Sequence, residues 1–533
     1  MDSADIWWRN GVIYQVYPRS FADSNHDGIG DLNGILEKLD YVKDLGADAI
    51  WLSPIFPSPN IDFGYDISDY QSIDPLFGSM QVFNQLVSEA HSRGIRIILD
   101  LVLNHSSDQH PWFQESRSSR DNPYRDWYIW QDAKPGNTPP NNWRSWFGGG
   151  GWEYDSITGQ YYYHGFYKEQ PDLNWRKPQM RRAMLDVFSF WLDHGVDGFR
   201  LDVFNQYFKD SAFRDNPHKL GLRMFDQQKH IYDTNQPEMI PLLQEIRRLT
   251  DQYDERYIIG ETFFSTLETA ASYCVPGLLH GTFQFGLISR RWNPGVYLKN
   301  IQQWEKVLSP ESWPSQVMNN HDTQRSASRF GQGEDDERLK VAAALLLTLR
   351  GTPFIYYGEE IGMRDIPITR NAIQDRVGKR YWPLYIGRDG CRSPMQWDNT
   401  PNAGFSQTKP WLPVHRDFLS RNVTQQKQDP DSLLNFYKNL IQLRKKYPAL
   451  IQGMFLPLTD EPKKVLAYLR KDNQQTILVG LNFSGKPVKL VLGRHLADTN
   501  WHLLLSNKRS ALDTSQYGFL PLEGNEACIL LQK

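Results

Sequence analysis

The chain alternates short apolar runs with amphipathic helical stretches from Gly11 to Tyr447, as repeated βα units do. The apolar runs that predict strands lie at Gly11–Val16, Asp48–Leu52, Ile95–Leu103, Val196–Phe199, Tyr257–Ile259, Gly281–Phe285, Gln316–Met318 and Thr352–Tyr357. These are eight strands, the number that a closed (β/α)8 barrel needs. We therefore predict an α/β chain whose main unit is a TIM barrel.

Two segments depart from this alternation. Residues 104–174 are rich in Gly, Pro, Asn, Trp and Tyr, and we expect a loop-rich inserted domain there, after the third strand. From residue 451 onward, short alternating runs separated by turns predict an antiparallel β-domain. The predicted domains are a barrel at 1–103 and 175–450, an inserted domain B at 104–174 and a C-terminal domain C at 451–533.

Composition excludes several partners. The formal net charge of −3 argues against a nucleic acid or an anionic membrane surface as the partner. Three dispersed cysteines, Cys274, Cys391 and Cys528, predict no disulfide framework and favour the reducing cytoplasm, although a periplasmic protein can also lack disulfides. The start, Met1–Asp5, lacks the regions of a signal peptide, and the longest apolar run, Val341–Leu349, is too short to span a bilayer.

Three acidic residues, Asp202, Glu261 and Asp322, stand where predicted strands end. Singly, each would be read as a cap or a loop anchor, but the carboxyl ends of barrel strands meet at one face, so the three carboxylates should converge. Arg200 lies two residues before Asp202, on the same side of the strand, and His321 precedes Asp322. Such a set suits cleavage of a glycosidic bond, in which one carboxylate attacks and one carboxylic acid donates a proton.

These segments carry a resemblance to a known family. The chain resembles the α-amylase family of glycoside hydrolases, and within it the α-glucosidase and oligo-1,6-glucosidase branch, over nearly its whole length. The motifs that carry the resemblance are Asp100–His105, Gln170–Asn174, Gly198–Asp202, Gly260–Glu261 and Asn320–Asp322. The resemblance implies an enzyme that acts on a small α-glucoside without a catalytic cofactor, as a monomer or a homodimer.

The resemblance also implies roles for single residues. Asp202 would be the nucleophile and Glu261 the acid/base, while Asp322 would bind the 2- and 3-hydroxyls and favour the distorted sugar. The side chains implied to hold or wall the same sugar are those of His105, Phe166, Arg200 and His321.

A second implied feature concerns the segment Asp62–Asp66. In related α-glucosidases an Asp here pairs with an Arg to grip the 4-hydroxyl of the terminal glucose, and the Tyr stacks beneath the ring. Asp62, Tyr65 and Arg388 match this pattern, and Arg392 is a second candidate for the pairing. An ion pair that closes the pocket end would make the enzyme exo-acting; the alternative is a loop salt bridge.

A separate loop offers oxygen ligands at alternating positions around a Gly turn, which is the spacing of a hard-cation site. The residues concerned are Asp23, Asn25, Asp27, Ile29 through its carbonyl, and Asp31. The twelfth position is Gly34 instead of Glu, so the loop is not an EF-hand. The resemblance implies a structural Ca²⁺ or Mg²⁺ here, without a catalytic role; the alternative is a hydrogen-bonded Asx turn.

Linkage preference stays open at this point. Relatives with Val after the nucleophile tend to accept α-1,6 links, which makes Val203 a candidate specificity residue, although simple packing would also explain it. The segment 204–238 looks more like that of enzymes that act on short α-glucosides or transfer glucosyl groups. We expect an exo-acting, retaining α-glucosidase on isomaltose-type, maltose or sucrose substrates. The alternatives are a transglucosidase, a sucrose or maltose isomerase, and a non-catalytic binding homologue.

Overall fold

Eight parallel strands close into a barrel in the computed structural model. Each strand pairs with the next along the chain and the first pairs with the last, so that Ile13 stands level with both Ala49 and Phe354. The barrel strands are Ile13–Val16, Ala49–Leu52, Arg96–Leu101, Gly198–Leu201, Tyr257–Gly260, Gly281–Gln284, Ser315–Val317 and Thr352–Tyr356. The predicted TIM barrel is confirmed.

The structure describes residues 6–263, 265–288, 291–331, 335–493, 496, 499–512 and 518–533. The first five residues, on which the prediction of no signal peptide rests, lie outside this set. In the described part of the chain, no helix is long and apolar enough to cross a membrane.

Alternation of side chains along the strands builds two apolar layers. Ile13, Trp51 and Phe354 point into the barrel and fill it with other buried strand residues. Tyr14, next to Ile13, points outward and belongs to the larger core between the barrel and its helices. Strands buried on both faces explain why the sequence shows nearly continuous apolar runs.

Amphipathic helices surround the barrel. Helix Met80–Ser92 buries Phe83, Leu86, Val87 and Ala90, which is the spacing of one helical face. The α-helices are Trp7–Asn10, Leu32–Glu37, Leu39–Leu45, Met80–Ser92, Pro111–Ser118, Pro178–Asp193, Met239–Thr250, Leu267–Ser272, Pro294–Val307, Ser326–Phe330, Glu337–Thr348, Arg376–Tyr381, Val423–Gln428, Leu433–Lys446 and Pro448–Gln452. The 3₁₀ helices are Pro18–Ser20, Arg125–Trp127, Phe204–Gln206, Phe285–Ile288, Arg370–Ala372, Asp389–Arg392, Pro401–Gly404 and Arg416–Leu419.

The inserted segment contains a small sheet of its own. Between the third and fourth barrel strands lies a three-stranded antiparallel sheet of Trp130–Asp132, Trp152–Asp155 and Gln160–Tyr163. Leu173 donates its N–H to the carbonyl of Asn104 at 2.9 Å, so the segment leaves and rejoins the barrel at neighbouring points.

The C-terminal part forms antiparallel sheets, as predicted. The five-stranded sheet consists of Met454–Pro457, Val465–Lys471, Thr476–Asn482, Ala527–Gln532 and Trp501–Ser506, in spatial order, and a second sheet pairs Val488–Val491 with Phe519–Leu522. The hydroxyls of Thr348 and Tyr468 form a hydrogen bond of 2.5 Å, which connects the eleventh α-helix to this domain.

Candidate active site

A cavity of about 1420 Å³ opens at the carboxyl ends of the barrel strands. The predicted site residues that line it are Asp62, Tyr65, His105, Phe166, Asp202, Val203, Glu261, Asp322 and Arg388. Arg200, His321 and Arg392 are almost completely buried and support the lining residues from below, through the contacts described next. The three acids therefore converge, as the strand-end positions predict.

The guanidinium of Arg200 binds three carboxylates. Its Nη1 donates to Asp100 Oδ1 and to Asp202 Oδ1, both at 2.6 Å, and its Nη2 donates to Glu261 Oε2. The strand register explains this convergence, because Arg200 stands level with Asp100 on the third strand. Asp202 and Glu261 follow the fourth and fifth strands directly, and Glu261 N–H continues the ladder to the carbonyl of Leu201 at 3.0 Å. One cation thus fixes the positions of both predicted catalytic carboxylates.

Burial raises the pKa values of two of the acids that contact Arg200. Burial raises the pKa of Glu261 to about 8; Arg200 opposes the rise, and the negative charges of Asp202 and Asp322 add to it. Burial also raises the pKa of Asp100 to about 7, again against the effect of Arg200. Glu261 is therefore mostly protonated at neutral pH, which is the state that a general acid requires.

Asp322 has the opposite electrostatic environment. Burial alone would raise its pKa, but His321, Arg392 and Arg388 outweigh that effect and hold the pKa below its usual range. Arg392 Nη2 donates to Asp322 Oδ1 at 2.8 Å, and Arg388 Nη1 lies 3.5 Å from the same oxygen. Asp322 is thus kept as a carboxylate that accepts hydrogen bonds at the cavity wall.

A buried hydrogen-bond chain orients Tyr65. Gln15 Nε2 donates to His321 Nδ1 at 2.8 Å, which leaves the proton of the neutral imidazole on Nε2. That nitrogen is 2.6 Å from the hydroxyl of Tyr65, which donates to Asp100 Oδ2 at 3.0 Å. Burial lowers the pKa of His321 to about 3, so the ring remains neutral. The rings of Tyr65 and His321 are parallel within 6°, with centroids 5.3 Å apart.

An ion-pair cluster forms one wall of the cavity. Arg388 Nη2 donates to Asp62 Oδ1 at 2.6 Å, so the structure pairs Asp62 with Arg388, whereas Arg392 binds Asp322. Asp375 holds Arg388 from the other side, through Nε at 2.9 Å and Nη2 at 3.1 Å. Although burial opposes it, Arg388 holds the pKa of Asp375 at about 2.

Beside this pair, residues of the inserted segment continue the wall of the cavity. His105 Nε2 lies 3.0 Å from the carbonyl of Tyr65 and 3.1 Å from Gln170 Nε2, and its ring packs 5.1 Å from that of Phe166. Gln170 also donates to Asp62 Oδ2 at 3.4 Å. Gln170 belongs to the motif Gln170–Asn174, but it was not predicted as a site residue. In the structure its side chain contacts both Asp62 and His105.

Val203 adopts a backbone conformation that is rare for a branched residue. Its φ is 35° and its ψ is 38°, in the left-handed region. Its side chain packs with Phe147, Phe166 and Val377, and it also lines the cavity beside Asp202. Val203 can therefore pack against these neighbours and also contact a substrate in the cavity.

The candidate cation loop is closed by its own hydrogen bonds. Asp23 accepts from the N–H groups of His26 at 2.7 Å and Gly28 at 2.8 Å, and Asp27 accepts from that of Ile29 at 2.8 Å. The remaining predicted ligands, Asn25 and Asp31, also accept hydrogen bonds inside this segment. Across the described residues, no three His, Cys, Asp or Glu side chains form a group arranged to hold a metal. These hydrogen bonds form the Asx turn that is the alternative to a cation site.

Two family models match most of the chain, and the proteins that resemble it include the following relatives. The model of the alpha-amylase catalytic domain matches residues 15–453, and that of the maltogenic amylase C-terminal domain matches residues 455–527. The oligo-1,6-glucosidase of Parageobacillus thermoglucosidasius is 42% identical, over 94% of this chain and 95% of that protein. The alpha-glucosyl transfer enzyme XgtA superposes with a TM-score of 0.94 at 40% identity, over 99% of both chains. The trehalulose synthase MutB from Pseudomonas mesoacidophila MX-45 gives a TM-score of 0.90 at 36% identity, over 99% of both chains.

Proposed function

The chain belongs to the alpha-amylase family of glycoside hydrolases, and on that premise we propose that it is an exo-acting, retaining α-glucosidase. Its substrates would be short α-glucosides, cleaved at the non-reducing end. The observation that carries the proposal is the guanidinium of Arg200, which binds Asp202 and Glu261 together at the floor of the cavity. The Asp62–Arg388 pair in the cavity wall supports exo action, because a hydrogen bond of 2.6 Å joins those two side chains and would block further sugars on that side.

The proposed reaction has two steps. The Asp202 carboxylate attacks the anomeric carbon while the Glu261 carboxyl group gives its proton to the glycosidic oxygen, so that a carbon–oxygen ester bond forms and the glycosidic bond breaks. Glu261, now a carboxylate, takes a proton from water, which attacks the same carbon and releases Asp202. Two inversions give net retention, and the raised pKa of Glu261 supports its role as the acid.

Linkage is tested by glucose release from isomaltose, maltose and sucrose at equal concentrations. We expect the highest kcat/KM on isomaltose, because Val203 lines the cavity directly after the nucleophile. Val203→Thr should shift the isomaltose-to-maltose ratio toward maltose by about tenfold, the scale that one apolar contact at a reacting centre provides. Asp202→Asn serves as the inactive control. Faster release from maltose by the unmodified enzyme would contradict the α-1,6 assignment.

A second candidate is glucosyl transfer or isomerisation through the same intermediate. The similarity to XgtA and MutB favours it, since their names describe an alpha-glucosyl transfer enzyme and a trehalulose synthase. The two candidates differ only in whether water or a sugar hydroxyl attacks the intermediate. Product chromatography separates them: free monosaccharides alone indicate hydrolysis, and longer or rearranged glucosides indicate transfer.

We also propose that the loop from Asp23 to Asp31 binds a structural Ca²⁺ or Mg²⁺. The loop offers oxygen donors, which hard cations prefer. Its hydrogen bonds leave acceptor capacity on Asp23 and Asp27, since each carboxylate oxygen has two acceptor positions. The ion would stabilise this loop and take no part in the chemistry.

Removal of the ion is expected to lower thermal stability. At a hundredfold excess over its Kd, a bound ion contributes about 2.7 kcal/mol, so chelation should lower Tm by about 2–3 °C in a chain of this length. Asp27→Ala should abolish the difference between Ca²⁺ and chelator, whereas Asp121→Ala, at another exposed site, should keep it. Equal Tm values with Ca²⁺, Mg²⁺ and chelator would leave the Asx turn as the complete explanation.

We propose the reducing cytoplasm as the compartment. All three cysteines are free and buried in the structure, and this usage is typical of proteins that fold without disulfides. Cell fractionation of the native host tests this, and recovery of the protein outside the cytoplasm would contradict it.

A further inference from the structure

Several exposed apolar side chains line the outer part of the cavity. Six cavity-lining residues form what we call the apolar rim: Leu222, Met224, Phe285, Ile288, Leu384 and Tyr385. Leu222 and Leu384 are almost fully exposed, and Met224 and Tyr385 are nearly half exposed. Exposed apolar groups around a concave site mark a surface that binds an apolar ligand.

Hydrogen bonds and ion pairs hold Leu222 at the tip of a closed turn. Lys219 donates its N–H to the carbonyl of Gln227 at 2.9 Å, which closes the base of the turn. Within it, Arg223 makes two hydrogen bonds of 2.9 Å to Asp226, and its guanidinium lies 4.0 Å from the ring centre of Trp146. The turn therefore presents Leu222 to the cavity while its charged neighbour is neutralised by a partner.

Hydrogen bonds also hold the part of the rim that contains Leu384 and Tyr385. Arg380 donates to the carbonyl of Gly148 at 3.1 Å, and the backbone of Leu384 is held by an N–H bond to the carbonyl of Tyr381 at 3.0 Å. The polar side chains that line this part of the cavity are those of Arg223, Arg380, Tyr381 and Tyr385. The first three already have partners, in Asp226, the carbonyl of Gly148 and the carbonyl of Phe147. Sugar hydroxyls in this part of the cavity would thus find few partners, whereas carbon chains would remove apolar surface from water.

The polar floor and the apolar rim belong to one cavity. Its volume of about 1420 Å³ exceeds the roughly 300–1,000 Å³ of ordinary small-molecule sites, so there is room for a second group beside one glucosyl unit. We propose that this second group is an apolar aglycone, and that the enzyme prefers α-glucosides of alkyl alcohols whose chain lies along the rim. The inference rests on the proposed α-glucosidase activity, since the aglycone is the alcohol that receives the proton of Glu261.

Alkyl α-glucosides from methyl to hexyl test this inference. Their leaving groups are primary alcohols of similar acidity, so differences in kcat/KM report contact with the chain and not the chemistry of bond cleavage. Complete burial of one methylene is worth about fourfold, and an open rim that buries half of it is worth about twofold. We expect kcat/KM to rise about 30-fold from methyl to hexyl glucoside, by the same estimate.

The double variant Leu222→Ser, Leu384→Ser should reduce this gain to about fivefold, because both exposed side chains lose their apolar surface. Leu419→Ser and Val491→Ser remove exposed apolar groups outside the lining of the cavity and should keep the 30-fold gain. Cleavage of isomaltose with a flat alkyl series, or an unchanged gain in the double variant, would overturn the inference alone. No cleavage of isomaltose, maltose or any alkyl glucoside would overturn the proposed function and this inference with it.

Discussion

Asp202→Asn is expected to lower kcat/KM by five orders of magnitude or more, the scale seen when a covalent nucleophile is removed (about 10⁵–10⁶). The amide keeps the size of the side chain and can still accept the hydrogen bond from Arg200, so the floor of the cavity should remain assembled. It cannot form the ester intermediate, and the loss should therefore appear in kcat more than in KM. Hydrolysis of isomaltose and of 4-nitrophenyl α-glucoside provides the measurement.

Rescue by azide distinguishes a lost nucleophile from general damage. In Asp202→Ala, azide has space to attack the anomeric carbon from the vacated side while Glu261 protonates the leaving oxygen. The carbon–nitrogen bond that forms replaces the glycosidic bond with one inversion, so the expected product is β-glucosyl azide. The matched variant Asp322→Ala should also be slow, but azide should not rescue it. Rescue of Asp322→Ala instead of Asp202→Ala would exchange the two assignments.

The barrel was predictable because its signal is local and repeated. A strand buried on both faces is nearly continuously apolar, as in Ile95–Leu103, where only Arg96 and Asp100 are charged. A surrounding helix is apolar every three or four residues, as in Met80–Ser92. Less regular features left no such signal. The helical spacing of apolar residues over Asp31–Leu45 predicts one continuous helix, but Lys38 leaves the helical conformation at φ −102° and ψ 6° and divides it in two.

The candidate site was predictable where residues follow strands, and less so where loops build it. Asp202 and Glu261 are placed by the ladder of the barrel, so their convergence follows from the strand assignment alone. Asp375 was missed: it binds Arg388 only because the chain between them turns back on itself, and no periodicity records that contact. The left-handed conformation of Val203 was missed for the same reason, since β-branched residues ordinarily predict extended backbone.

Glu261→Gln is expected to lower kcat/KM on alkyl α-glucosides by about 10³-fold, within the range of general acid catalysis. The amide can still accept the hydrogen bond from Arg200 but cannot donate an acidic proton to the leaving oxygen. The loss should therefore be much smaller for 4-nitrophenyl α-glucoside, whose leaving group needs little protonation. Steady-state kinetics on both substrates give the comparison.

The pH profile connects this prediction to the electrostatics of the site. Burial raises the pKa of Glu261 to about 8, so its acid form is populated below that pH and kcat/KM should fall as pH rises through it. Asp100, whose pKa burial raises to about 7, shares Arg200 with Glu261 and is the competing origin of such a limb. The limb should vanish in Glu261→Gln and persist in Asp100→Asn. If the limb persists in Glu261→Gln, the titration belongs to the carboxylates around Arg200 as a group, and Glu261 is not the acid.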